Sequence, residues 1–72
     1  MAFNYSKLRG RIVEVFGSQA EFAKAMEWSE RTLSLKLTNQ VYWRQSDICK
    51  AVSLLNISND EILAYFFTLE VQ

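Results

Sequence analysis

The side chains in this 72-residue chain that could do chemistry are few, and their types suit recognition rather than bond-making. There is no histidine, so no imidazole can serve as acid, base or metal ligand. A single cysteine, Cys49, can neither close an internal disulfide nor build a zinc site. With Ile48, Ala51 and Val52 around it and nothing to activate its thiol, it reads as a packing residue on a helix flank. Asp60 and Glu61 read as a helix start rather than a catalytic pair, and no glycine-rich phosphate loop occurs. The expectation is no enzyme, no cofactor, no metal and no small-molecule substrate. What remains is Glu30, Arg31, Thr32 and Ser34: one acid, one base and two hydroxyls. Arg31 can address guanine through a bidentate pair, and Thr32 or Ser34 can meet a phosphate or a thymine methyl. Glu30 opposes that use, because a carboxylate repels phosphates unless it accepts from a cytosine amine, and Glu27 adds to the repulsion.

These residues need a helix to present them, and residues 18–37 supply two. Ser18 with Glu21 three positions on is a capping box. Ala20, Phe22, Ala23 and Met26 follow as a small apolar face. Glu27 and Trp28 interrupt it, and Ser29 caps a second helix in which Leu33 and Leu37 face inward together. Two capped helices with a tight turn between them form a helix-turn-helix. Ala23 is small where the helices must approach, and Trp28 can plug the corner. Leu35 is rotated roughly 200° from Leu33 and falls on the outer face, beside Glu30, Arg31 and Lys36. An apolar centre ringed by mixed charges has the make-up of a small protein–protein patch. Gln19, at the start of the first of these helices, can clamp a phosphate or buttress the second.

The flanking segments complete an all-α, five-helix chain read as one domain over 1–72. Residues 1–4 form a frayed lead-in in which Phe3 has a side chain to pack on the core. A first helix begins between Asn4 and Ser6 and ends at Phe16, with Leu8, Ile12, Val15 and Phe16 inward and Gly17 as its left-handed stop. Of its outer bases, Arg9 is solvated, and Lys7 or Arg11 could touch a phosphate. After Leu37, Asn39 suits a helix exit; Asn39, Gln40 and Arg44 either meet a nucleic-acid backbone or belong to an ordinary loop. Tyr42 and Trp43 read as core lids. A fourth helix starts at Ser46, with Asp47 in its first turn, Ile48, Ala51, Val52 and Leu55 inward, and Asn56 as its end. Ser58 and Glu61 make a second capping box, followed by Ile62, Leu63, Phe66 and Phe67 on one side. In the tail, residues 68–72, the alternation of Phe67, Leu69 and Val71 fits a short strand, a segment lying over the first helix, or a self-association surface.

Formal charge is zero, whereas a DNA-binding domain usually carries a positive excess because phosphate contacts dominate affinity. The distribution is uneven: residues 1–50 hold eight basic and five acidic residues, a balance of +3, and residues 51–72 hold three acids and no base. No apolar run approaches the ~20 residues of a membrane helix. The lone cysteine fits a reducing cytoplasm.

Gln19, Phe22-Ala23, Ser29 and Thr32-Leu33-Ser34 resemble the pattern of the lambda-repressor/Cro-like family of phage and bacterial regulators. The string Met1–Gly10, taken with Leu33-Ser34-Leu35-Lys36-Leu37, is similar to small early proteins of Gram-positive temperate phages, and among these to the modulators of repression of lactococcal-type phages, antirepressor partners of CI-type repressors. The resemblance covers nearly the whole chain. It implies a lambda-repressor-like fold and a part in the lysis–lysogeny decision in the bacterial host cytoplasm. One departure stands out. The family has glycine in the turn where this chain has Glu27, and a left-handed backbone there costs a non-glycine residue roughly 1–2 kcal/mol. Either the turn has another shape or burial of Trp28 offsets the cost.

Two functional readings follow. In the first, the chain binds a CI-type repressor through Gln19, Glu27, Glu30, Arg31, Ser34 and Leu35 and modulates or blocks its DNA binding. In the second, it is a Cro-like dimer that binds operator DNA itself through Gln19, Arg31, Thr32, Ser34, Lys36, Asn39 and Arg44. The two can coexist if repressor and modulator occupy operators jointly. Zero net charge, Glu30 and Leu35 favour the first.

Overall fold

Helix termini lay out the chain. A computed structural model describes residues 2–70 and contains α1 (Ser6–Phe16), α2 (Gln19–Ala25), α3 (Glu30–Leu37), α4 (Gln45–Leu55), a 3-10 turn (Asn59–Glu61) and α5 (Ile62–Phe66). Among the described residues four have positive φ, Gly17, Glu27, Asn39 and Asn56, and each follows one of the first four helices. At the end of α2, the Glu27 N–H donates to Lys24 O (3.0 Å) and the Trp28 N–H to Ala23 O (2.8 Å). This is a Schellman closure with Glu27 at φ 64°. The left-handed turn is therefore retained without glycine. Trp28 folds back over it, half-buried, with its ring edge-on to Trp43 at 5.5 Å. Serines start the two central helices as expected: Ser18 Oγ accepts from the Glu21 N–H (3.2 Å) and Ser29 Oγ from the Thr32 N–H (3.1 Å).

The five helices enclose one apolar cluster. Leu8 and Ile12 of α1, Phe22 of α2, Leu33 of α3, Leu55 of α4 and Phe66 of α5 are fully buried within it. Several helix faces differ from the expected ones by one position. Val15 is exposed, and Tyr5 instead joins Leu8 and Ile12 inside. Ala20 is exposed, leaving Phe22, Ala23 and Met26 as the inner face of α2. Helix α4 starts at Gln45, one residue early, because the Asp47 carboxylate accepts the Arg44 N–H (3.0 Å). Its register turns Ala51 and Leu55 inward and leaves Cys49 exposed, so the thiol is not a packing residue. The Ser58–Glu61 cap opens a 3-10 turn before α5, which buries Tyr65 and Phe66 and leaves Leu63 and Phe67 outside.

The two ends of the chain meet. Phe3 and Leu69 form an isolated antiparallel bridge, flanked by Asn4 N–H to Thr68 O (2.7 Å) and Glu70 N–H to Ala2 O (3.0 Å). The lead-in over residues 2–4 is thus held rather than frayed, and the tail is strand-like through Leu69. Val71 and Gln72, like Met1, lie outside the described residues. Asn39 completes this clamp: its side chain accepts the Phe3 N–H and donates to Phe3 O, both at 2.9 Å.

Candidate protein-binding face

The α2–α3 unit gathers five of the singled-out residues around one groove. Gln19 comes from the start of α2, and Glu30, Arg31, Ser34 and Leu35 from the outer side of α3. With Gln40 they line an open depression of about 590 Å³. Leu35 is half-buried rather than standing free on the surface. Glu30 and Arg31 are exposed, and neither takes part in an ion pair among the described residues. A leucine flanked by a free carboxylate and a free guanidinium can accept an apolar side chain and orient it with charges of both signs.

Other expected contact residues serve the fold. Glu27 sits outside the groove, where its carboxylate pairs with Lys50 of α4 at 3.2 Å. The Thr32 hydroxyl shares a 3.0 Å hydrogen bond with Ser29 Oγ at the helix cap. Asn39 is engaged by Phe3 through both ends of its amide. Lys36 departs furthest from expectation. Only 6% exposed, it donates from Nζ to Asp47 Oδ2 (2.9 Å) and Tyr42 O (3.0 Å) and lies 4.8 Å from the centre of the Trp28 ring. It faces the α3–α4 corner and presents no charge to a ligand. Burial alone would raise the Asp47 carboxyl. The Lys36 hydrogen bond, the Arg44 N–H and the positive charges of Lys36 and Arg44 outweigh that and hold it below its ordinary value. Arg44 itself keeps an exposed side chain at the start of α4, away from the groove lining.

The bases of α1 are likewise turned to internal use. Lys7 lies over the Tyr65 ring at 4.7 Å, and Arg9 donates to Leu37 O at 3.4 Å. Arg11 donates to Leu55 O at 2.9 Å and pairs with Glu14. Lys7 and Arg9 remain exposed and Arg11 half-buried, each with an internal contact that competes with any outside partner. Of the eight basic residues, only Lys24, Arg31 and Arg44 have no such partner among the described residues. Apart from the i,i+3 pair of Arg11 with Glu14, the engagements of the α1 bases join residues far apart in the chain, which no local pattern signals.

Tyr42, read from the sequence as a core lid, is another residue that the structure places outside. It is 92% exposed, whereas its neighbour Trp43 packs edge-on against Phe66 at 5.2 Å.

Fold and face together define a small all-α domain with a mixed-polarity contact groove and no helix long and apolar enough to cross a membrane among the described residues. The chain belongs to the family described as "Protein of unknown function (DUF739)", whose model matches residues 1–69. Among solved structures, it is similar to the solution structure of the modulator of repression (MOR) of the temperate bacteriophage TP901-1 from Lactococcus lactis. The two are 46% identical, with a TM-score of 0.82, over 100% of this chain and 97% of that one. No curated protein matches the chain.

Proposed function

We propose that this chain is a phage modulator of repression, a binding protein rather than an enzyme. It acts in the host cytoplasm by docking its α2–α3 face on a CI-type repressor and modulating that repressor's hold on operator DNA. The observation that carries the reading is the 46% identity, over the full chain, to a protein that is itself a modulator of repression. The groove supports it. Leu35 with unpaired Glu30 and Arg31 suits a folded partner better than a row of phosphates. On this reading α2–turn–α3 is a helix-turn-helix of the lambda-repressor/Cro-like kind, turned from DNA to protein. Gln19, Glu30, Arg31, Ser34 and Leu35 make the contact, and Glu27 braces the turn from behind. Autonomous operator binding is weakened as an alternative, because Thr32, Lys36 and Asn39 are all engaged within the fold.

Operator gel shifts with this protein alone, with the repressor alone and with both test the proposal. The expected result is a changed shift only when the repressor is present, attenuated by Leu35→Ala and by Arg31→Ala. A shift by the protein alone at sub-micromolar concentration, weakening steeply with salt, would instead establish autonomous DNA binding.

A further inference from the structure

The loop between α3 and α4 holds Tyr42 out in solvent, and the groove contact makes no use of it. Its backbone is well anchored. The Tyr42 carbonyl accepts from the buried Lys36 ammonium at 3.0 Å, and that ammonium is fixed by Asp47 at 2.9 Å. Upstream, the Gln40 and Val41 N–H groups both donate to Leu35 O, at 2.9 and 3.2 Å. Downstream, the Trp43 indole N–H donates to Lys36 O at 3.2 Å. With the backbone already pinned, ordering Tyr42 on binding costs only its side-chain rotamers, and tyrosine is among the residues enriched at binding hot spots. Beside it lies a cleft of about 480 Å³, walled by Phe3, Tyr42, Trp43, Ile48 and Phe67. Among the described residues no charged side chain lines this cleft, and its polar walls are the amides of Asn39 and Gln40. A charged group entering it would lose water without gaining a counter-charge, whereas a leucine- or phenylalanine-sized side chain would exchange water for aromatic walls. Gln40 lines both the cleft and the α2–α3 groove, so the two surfaces run into each other.

We infer that Tyr42 and this cleft are the second half of one docking surface: the cleft takes a large apolar side chain from an uncharged stretch of the same repressor that occupies the groove, and the Tyr42 ring packs over it. The inference rests on the function proposed above and extends its contact beyond the helix-turn-helix. A second copy of this chain is a poorer occupant. Asp60, Glu61 and Glu70 flank α5 and the tail, and Lys7 over Tyr65 offsets only one of them, so two copies meeting there would still oppose net negative charge.

The experiment titrates isotopically labelled protein with the repressor's DNA-binding domain, following the Trp28 and Trp43 indole N–H resonances. Affinities are measured by calorimetry for wild type, Tyr42→Ala and Arg31→Ala. The expected result is a Trp43 resonance that moves on saturation, and a loss of affinity of about tenfold or more for Tyr42→Ala at an unchanged melting midpoint. If Arg31→Ala weakens binding while Tyr42→Ala stays within about twofold and Trp43 does not move, the inference is overturned and the proposed function survives. If the wild type does not bind the repressor at all, both fall. A Trp43 resonance that moves with the concentration of the protein alone would assign the cleft to a second copy and overturn the inference.

Discussion

Replacing Lys36 with methionine is the most direct test of how the α3–α4 corner is built. The substitution removes the ammonium and keeps a stem of similar bulk. In the folded chain the Lys36 and Asp47 side chains are only 7% and 16% exposed and meet at 2.9 Å. Removing one partner of a buried pair costs roughly 3–5 kcal/mol, because the other charge is stranded. Here Asp47 keeps the Arg44 N–H at 3.0 Å and some access to water, and the methionine refills the space, so the expected loss is about 2–3 kcal/mol. A domain of this size has on the order of 4–11 kcal/mol in total. At ~4–8 °C per kcal/mol the melting midpoint should fall by roughly 10–20 °C. Thermal and urea unfolding followed by circular dichroism at neutral pH measure this. The double variant Lys36→Met/Asp47→Leu should recover most of the loss, since no buried charge is then left unpaired. A single variant within about 2 °C of wild type would refute the reasoning, because it would mean that the ammonium is solvated and the loop is held by other contacts.

Three further outcomes are expected. Because Asp47 titrates below its ordinary 3.8 in the fold, the unfolded chain takes up that proton first. The contribution to stability is therefore complete above this value and is lost as pH falls through the depressed one. Urea midpoints should drop as pH falls below the ordinary carboxylate value of 3.8 in wild type and much less in the Lys36→Met/Asp47→Leu variant. Glu27→Gly should stabilise the chain by about 0.5–1 kcal/mol: relief of a left-handed non-glycine residue outweighs loss of an exposed ion pair. A lower denaturation midpoint would show that the Lys50 pair matters more than the backbone strain. Asn39→Ala removes both hydrogen bonds to Phe3 and leaves a β-carbon at φ 66°, so a loss of roughly 2 kcal/mol is expected. Amide exchange at Asn4 and Glu70 should rise with it, and unchanged protection there would show that the terminal bridge stands without the clamp.

Local signals in the sequence were sufficient to place the elements. The serines at 18 and 29 and the exit residues Gly17, Asn39 and Asn56 bound their helices where residue type requires, since a cap or a left-handed stop involves only neighbours along the chain. The outward turn of Glu30, Arg31, Ser34 and Leu35 follows in the same way from helical periodicity once Leu33 and Leu37 face inward. Faces at the helix ends were less legible. Val15, Cys49, Leu63 and Phe67 are apolar enough to be buried, and only the packing of one helix against another selects Tyr5 and Tyr65 in preference.

By itself the sequence determined five helices, the serine caps of α2 and α3 and the chemistry of one outer face. The tertiary structure alone decided which polar side chains remain available to a partner. Asn39 is tied to a residue 36 positions away and Arg11 to one 44 away, and Lys36 is enclosed by Trp28, Tyr42 and Asp47 from three separate parts of the chain. A charged or amide group is drawn to whichever counter-charge or backbone group the fold brings within reach in a water-poor site, and that proximity is not written in any local pattern. The same packing that encloses Lys36 leaves the Tyr42 ring outside: the loop is held by the Tyr42 carbonyl, which accepts from the Lys36 ammonium, and its side chain stays in solvent.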